Sequence, residues 1–176
     1  MLGFKEIKMS EDLKVGKIVF FVVLAMAAAA LMAASFSGWG YKALDGDSIT
    51  VAMESEKVIA VELEGIDCPE LEQDFGKEAR DFSKSFIYKK KLLVEISAYD
   101  TEGHVIARVT LEGKDLSLAL LEAGLAWYDK KTGSDKQLAK AQKKAKKAKT
   151  GLWSNPNPTP PWIFRSQQEE KEKSNQ

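Results

Sequence analysis

Residues 38–111 are written in short pieces of strand-like alternation separated by turn signals, and this segmentation restricts the possible folds more than any other feature of the chain. Residues 39–44 and 48–53 flank Asp45-Gly46-Asp47, whose Asp-Gly pair suits a hairpin turn. Residues 58–66 alternate apolar and acidic side chains over Val61-Glu62-Leu63-Glu64, so one face of that strand is wet. Residues 75–88 carry Ala79, Phe82, Phe86 and Ile87 at helical spacing, and residues 92–99 and 105–111 return to strand. Residues 116–124 predict a short helix, and residues 135–149 a longer lysine-rich one stopped by Gly151. The most economical arrangement is α+β and mainly β, a five-stranded barrel of the OB type with about three helices, over residues 38–165.

Ahead of the barrel, residues 18–36 (IVFFVVLAMAAAALMAASF) form an uninterrupted apolar run preceded by Lys5, Lys8, Lys14 and Lys17, with only Glu6, Glu11 and Asp12 against them. The run exceeds the roughly 7 to 15 apolar residues of a signal-peptide core and is about long enough to span a bilayer. It predicts a hydrophobic helix with residues 1–17 on its cytoplasmic side. Ala33 and Ser35 suit a signal peptidase cutting before Phe36; an uncut segment would remain as a membrane anchor. Either outcome places the domain outside the cytoplasm, secreted, periplasmic or tethered. At the other end, residues 166–176 are polar and without periodicity, which predicts a disordered tail.

With 26 basic and 26 acidic residues, the chain lacks the basic excess of a protein that wraps nucleic acid by charge alone. Residues 36–130 hold 11 basic and 19 acidic residues, a net of −8, whereas residues 131–149 hold eight lysines and Asp135, a net of +7. That basic stretch fits the solvated face of a helix whose Leu138, Ala141, Ala145 and Ala148, with Leu152, pack inward. Cys68 is the only cysteine, so no disulfide can form within the chain, and a metal site would rest on oxygen and imidazole ligands. One domain and a monomer are expected.

Several phrases carry a family resemblance by their order and spacing. They are Leu44-Asp45-Gly46-Asp47-Ser48, Leu63-Glu64-Gly65-Ile66-Asp67-Cys68-Pro69-Glu70, Gln73-Asp74-Phe75-Gly76-Lys77-Glu78-Ala79 and Gly124-Leu125-Ala126-Trp127, with Gly151-Leu152-Trp153-Ser154 and Pro160-Pro161-Trp162 closing the series. Together they resemble the staphylococcal nuclease (thermonuclease) family from Trp39 to about Arg165. The resemblance implies an OB-fold phosphodiesterase acting on nucleic acid with a bound calcium ion, Ca2+. It places Asp47, Asp67 and the backbone carbonyl of Cys68 at the metal and Glu70 as general base. Calcium takes hard oxygen ligands, which agrees with those residue types. Taken without the resemblance, Asp47 is a turn residue, and Asp67 and Glu70 are helix-entry or solvated charges beside Pro69.

Two departures bear on activity. The positions of the family's two phosphate-binding arginines hold Glu62 and His104, and neither supplies the rigid bidentate fork of a guanidinium. One lost electrostatic donor slows catalysis by about 10² to 10³, so activity is expected to be weak or lost. The alternative is a non-catalytic OB-fold binding module. The three arginines of the chain are Arg80 on the first helix, Arg108 about 13 Å along the strand from His104, and Arg165 in the Pro-rich exit, which packs back on the barrel. None is expected to replace the missing pair. If Glu62 and His104 converge with Asp47, Asp67 and Glu70 on one cavity, another divalent metal, zinc or manganese, becomes the better ligand; a plainer arrangement pairs Glu62 directly with His104.

Overall fold

A computed structural model describes residues 34–174. Of the expected signal or anchor segment, residues 1–33 lie outside the described residues; among those described, no helix is long and apolar enough to cross a membrane. In chain order the strands are β1 (Ser35–Ala43), β2 (Ser48–Ala52), β3 (Val58–Leu63), β4 (Ile66–Asp67), β5 (Lys91–Tyr99), β6 (Val105–Leu111), β7 (Lys114–Asp115) and β8 (Trp127–Tyr128). The helices are α1 (Gly76–Ile87), α2 (Leu116–Glu122), α3 (Lys136–Ala148) and α4 (Pro161–Ser174), with a 3-10 turn at Gly151–Ser154.

Five strands close a barrel of the OB type. β1 runs antiparallel to β2 and β5, β2 to β3, and β5 to β6, and the ring closes where β3 runs parallel to β6 with Val61 opposite Val105 and Leu63 opposite Ala107. Inward positions recur with period two: Ile49 and Val51, Val61 and Leu63, Leu92 and Val94, then Val105, Ala107 and Val109 are all buried. β1 starts earlier than the Gly38 boundary expected from sequence. Ser35 and Phe36 pair with Glu95 and Val94, and Ala34 accepts the Ile96 N–H, so the end of the apolar run belongs to the barrel.

Residues 58–66 do not form one strand. Gly65 adopts φ +77, open to glycine without a Cβ penalty, and there the chain leaves β3. It re-forms as β4, which pairs with β8 so that Asp67 stands opposite Trp127.

Arg108 on β6 ties two helices to the barrel. Asp115 and Asp135 are the N-caps of α2 and α3, accepting the N–H of Leu118 and of Gln137, and Arg108 bonds both carboxylates, Nε to Asp115 at 2.6 Å and Nη2 to Asp135 at 3.1 Å. The lysines of α3 face solvent while Leu138, Ala141 and Ala145 are buried, as is Leu152 beyond it. Ala148, expected inward, is exposed, lying in the last turn just before left-handed Lys149 ends the helix.

The expected disordered tail is corrected over residues 166–174, which continue helix α4. Pro161 opens that helix, where its fixed φ costs nothing, and Glu169 stands four residues before Lys173, the favourable order for an acid–base pair. The tail lacks apolar periodicity, but Gln, Glu and Lys are good helix formers, and composition alone hides this.

The turn between β1 and β2 is seated against α1. A Cβ on Gly46 would stand 2.6 Å from Cys68 Cβ and 2.8 Å from Ala79 Cβ, and the Gly46 carbonyl accepts the hydroxyl of buried Ser83. Gly46→Ala is therefore expected to destabilise the fold by about 1–3 kcal/mol, since nothing nearby is a flexible side-chain end that can yield. A urea-unfolding midpoint unchanged in this variant would contradict the seating.

Candidate active site

Three segments meet at one end of the barrel. In the first turn, Asp45 Oδ1 accepts the N–H of Asp47 at 3.1 Å and of Ser48 at 2.7 Å, holding the loop in shape. Asp47 is then fixed twice: its carbonyl accepts the Leu63 N–H at 2.9 Å, and its Oδ2 accepts the Cys68 N–H at 2.8 Å. The second segment runs from β4 through Pro69, where Gln73 Oε1 accepts the Glu70 N–H and sets that residue's backbone before α1. The result is an open cleft of about 400 Å³ whose lining includes Asp47, Asp67 and Glu70 together with Asp45, Glu62, Asp100 and Asp129.

Seven carboxyl groups in one cleft repel one another. Desolvation, reinforced by the charges of Asp45 and Asp67, pushes the Asp47 carboxyl well above the ordinary carboxylate range despite the Cys68 N–H. Cys68 is buried, and burial pushes its thiol up as well, so it behaves as a packed apolar residue and leaves its backbone as the group of interest. Such an oxygen-rich set fits a hard divalent cation in its chemistry. Among the described residues, however, no three of His, Cys, Asp and Glu stand together in a group that could hold a metal ion.

The third segment is α4, and it brings in a residue that sequence reasoning set aside. Arg165 lines the cleft and grips two of its carboxylates: Nη1 to Asp67 Oδ1 at 3.1 Å, Nη2 to Asp67 Oδ2 at 2.8 Å, and Nη1 to Glu70 Oε1 at 2.6 Å. These bonds raise the guanidinium's pKa further above its ordinary value. Its path is packed. Asp67 pairs with Trp127 across β4 and β8, Trp127 meets Trp153 and Trp162 edge-on at centroid distances of 4.4 and 5.6 Å, and Trp162 precedes Arg165 by three residues on one helix face. The Pro-rich segment ahead of α4 is anchored where Gln73 Nε2 donates to the Thr159 carbonyl. The signal for Arg165 was the Trp162–Arg165 spacing, visible only once residues 161–174 are taken as helix.

The two residues at the positions expected for phosphate-binding arginines part company. Glu62 lines the cleft, accepts the Ser48 hydroxyl, and is raised by desolvation against that bond. His104 does not line it. Its side chain is 45% exposed, and Nδ1 lies 2.8 Å from Asp100 Oδ2 and 3.9 Å from Glu102. The five-ligand convergence for zinc or manganese is thus not formed, and neither is a direct Glu62–His104 pair. Asp100 accounts for both: its Oδ1 accepts the N–H of Glu102 and of His104 within the turn, and its Oδ2 claims the ring. Arg80 pairs with Asp81 on α1 and Arg108 with the two caps, so neither reaches the cleft.

With this geometry in place, comparison with known proteins gives a consistent picture. The profile of the staphylococcal nuclease homologue family matches residues 60–155, more than half of the chain. An uncharacterized endonuclease of Escherichia coli is 35% identical over 136 residues, covering 77% of this chain and 88% of that protein. A micrococcal nuclease of Shigella flexneri is 32% identical over 160 residues, covering 80% and 90%. A staphylococcal-like nuclease of Arabidopsis thaliana is 33% identical over 123 residues, covering 65% of this chain and 37% of the plant protein.

The His104–Asp100 contact is open to direct test. The hydrogen bond to Asp100 and then that residue's charge raise the His104 pKa above 6.5; Asp100, although desolvation opposes it, is lowered by the bonds from His104 and Glu102. The pair therefore contributes stability below the unfolded histidine value, lost as pH rises through the raised one, and lost again as pH falls through the depressed Asp100 value. NMR titration of the only imidazole is expected to give a midpoint above 6.5 that falls in Asp100→Asn. An unshifted midpoint would contradict the pairing.

Proposed function

Because the chain belongs to the staphylococcal nuclease homologue family, we propose that it is a divalent-cation-dependent phosphodiesterase of nucleic acid, slower than a family enzyme with both arginines. The observation that carries this reading is the assembly of Asp47, Asp67 and Glu70 in one open cleft. Asp47 and Asp67, with the Cys68 carbonyl, are the groups suited to a calcium ion, which when bound would supply the positive charge that seven carboxyl groups and a phosphate together require. Glu70 would take the proton of a water whose oxygen bonds to phosphorus as one ester P–O bond breaks, the leaving oxygen taking its proton from solvent. Glu62 works against this, because its carboxylate adds charge of the substrate's own sign.

That same Glu62 favours the second reading, a non-catalytic OB module that kept the barrel for binding. The two readings separate on hydrolysis of single-stranded DNA by the full-length chain. Calcium-dependent cleavage is expected, abolished by a chelator and lowered by about 10² or more in Asp47→Ala. Glu62→Arg is expected to be faster than the natural chain by about 10-fold or more, since it restores an electrostatic donor. Binding of DNA without cleavage under any divalent ion would establish the binding module instead.

We also infer that the domain is exported, on the support of the apolar run at residues 18–36 and the lysines that precede it. A reporter enzyme active only outside the cytoplasm, fused after the last residue of the full chain, is expected to be active; a full-length fusion whose reporter is inactive would refute export.

A further inference from the structure

Among the residues lining the cleft, one cationic side chain stands against seven carboxyl groups, and it is Arg165. A guanidinium carries five N–H donors in one plane, and they present distinct edges. The Nη1–Nη2 edge lies on the two oxygens of Asp67, and the second Nη1 hydrogen goes to Glu70. The Nε–H and the second Nη2–H, which together form the neighbouring edge of the same plane, have no partner among the described residues. Arg165 thus arrives held by one edge and open at another, with its side chain 47% exposed.

The position is built by packing. The Asp67–Trp127 pairing, the Trp127–Trp162 edge contact and the three-residue step along α4 bring the guanidinium to Asp67 and Glu70. A half-exposed ion pair contributes little to folding stability, so the fold itself has small need of this contact. A guanidinium already oriented by carboxylates has little rotamer freedom left to lose when it takes a ligand. Its free edge has the fork geometry that matches two oxygens of a phosphate.

We propose that Arg165 is the phosphate-binding group of this chain: its Nε–Nη2 edge receives two oxygens of a phosphodiester of single-stranded nucleic acid while the neighbouring Nη1–Nη2 edge remains on Asp67. The assignment rests on the nuclease reading above and adds the residue that takes over from the arginines replaced by Glu62 and His104. It also gives α4 a role: the helix delivers to the cleft a charge that the barrel strands no longer carry.

The test uses the full chain, a fluorescein-labelled phosphorothioate oligothymidylate as a slowly cleaved probe, and calcium, with binding followed by anisotropy across a salt series. Arg165→Ala is expected to weaken binding by about 10-fold or more. The slope of log K against log salt should become shallower by about 0.7, the loss of one phosphate contact on a single strand. That slope would not move if the arginine only propped up the fold. Arg165→Lys, which keeps the charge without the fork, should retain the slope and recover only part of the affinity. Arg80→Ala, on the outer face of α1, should behave as the natural chain. Hydrolysis of the ordinary oligonucleotide should fall with Arg165→Ala. If the natural chain binds and Arg165→Ala matches it in affinity and slope, the assignment is overturned and the nuclease reading stands. If Arg165→Ala cleaves faster than the natural chain, the arginine blocks Asp67 and Glu70, and the assignment is again overturned. If the natural chain neither binds nor cleaves, the nuclease reading and the role of Arg165 fall together.

Discussion

The hydrogen bond from the Cys68 N–H to the half-buried carboxylate of Asp47 holds the functional end of this molecule together. It joins the first turn of the barrel to the passage between β4 and α1, two segments more than twenty residues apart in sequence. Gly46 must lack a side chain for that turn to lie on Cys68 and Ala79, and Asp45 braces the turn from within. Asp47 and Asp67 share a cleft because of this junction, and its electrostatic cost is visible in the raised Asp47 carboxyl. A fold selected only for stability would not keep a desolvated carboxylate beside two others; local rules broken in this way mark functional sites.

The molecule answers that concentration of negative charge from a distance in sequence. Arg165 reaches the cleft through a tryptophan relay rather than along a strand, and it bonds carboxylates 98 and 95 residues earlier in the chain. Arg108 makes the contrast instructive. It too binds two carboxylates, but these are the N-caps of α2 and α3, so its work is to orient helices against β6. Two residues of the same type thus serve different ends because of what their partners are already doing. Lys146 adds a third use of positive charge, lying over the rings of Trp153 and Trp127 at 4.2 and 5.0 Å and covering the relay from outside.

Much of the barrel was legible in advance. Residues 48–53, 92–99 and 105–111 were legible as strand, alternation over residues 58–66 marked a wet face as well, and the amphipathic pattern of α3 separated its lysines from Leu138, Ala141 and Ala145. The failures have specific causes. Residues 58–66 looked like one strand because an apolar–acidic alternation continues through a glycine, whereas only φ +77 at Gly65 shows that the chain turns away there. Ser35 and Phe36 were absorbed into an apolar run whose composition says nothing about strand pairing. Helix α4 carries no apolar stripe beyond its first turn, so its polar residues resembled a tail.

The sequence by itself determined the barrel and the family and singled out Asp47, Glu62, Asp67 and Glu70, four of the cleft's seven acids, because strand alternation, turn glycines and closely spaced motif residues are local properties and survive without a structure. It also put Glu62 and His104 where the resemblance expects arginines, in a register set by neighbouring phrases. Only the tertiary structure decided what stands in the cleft with those acids. His104 turned to Asp100, four residues away, because the turn offered a carboxylate nearer than Glu62. Arg165 came to Asp67 and Glu70 because β4, β8 and α4 pack through Trp127 and Trp162. Charge partners at long sequence separation depend on the distance between packed elements, and no spacing along the chain encodes that distance.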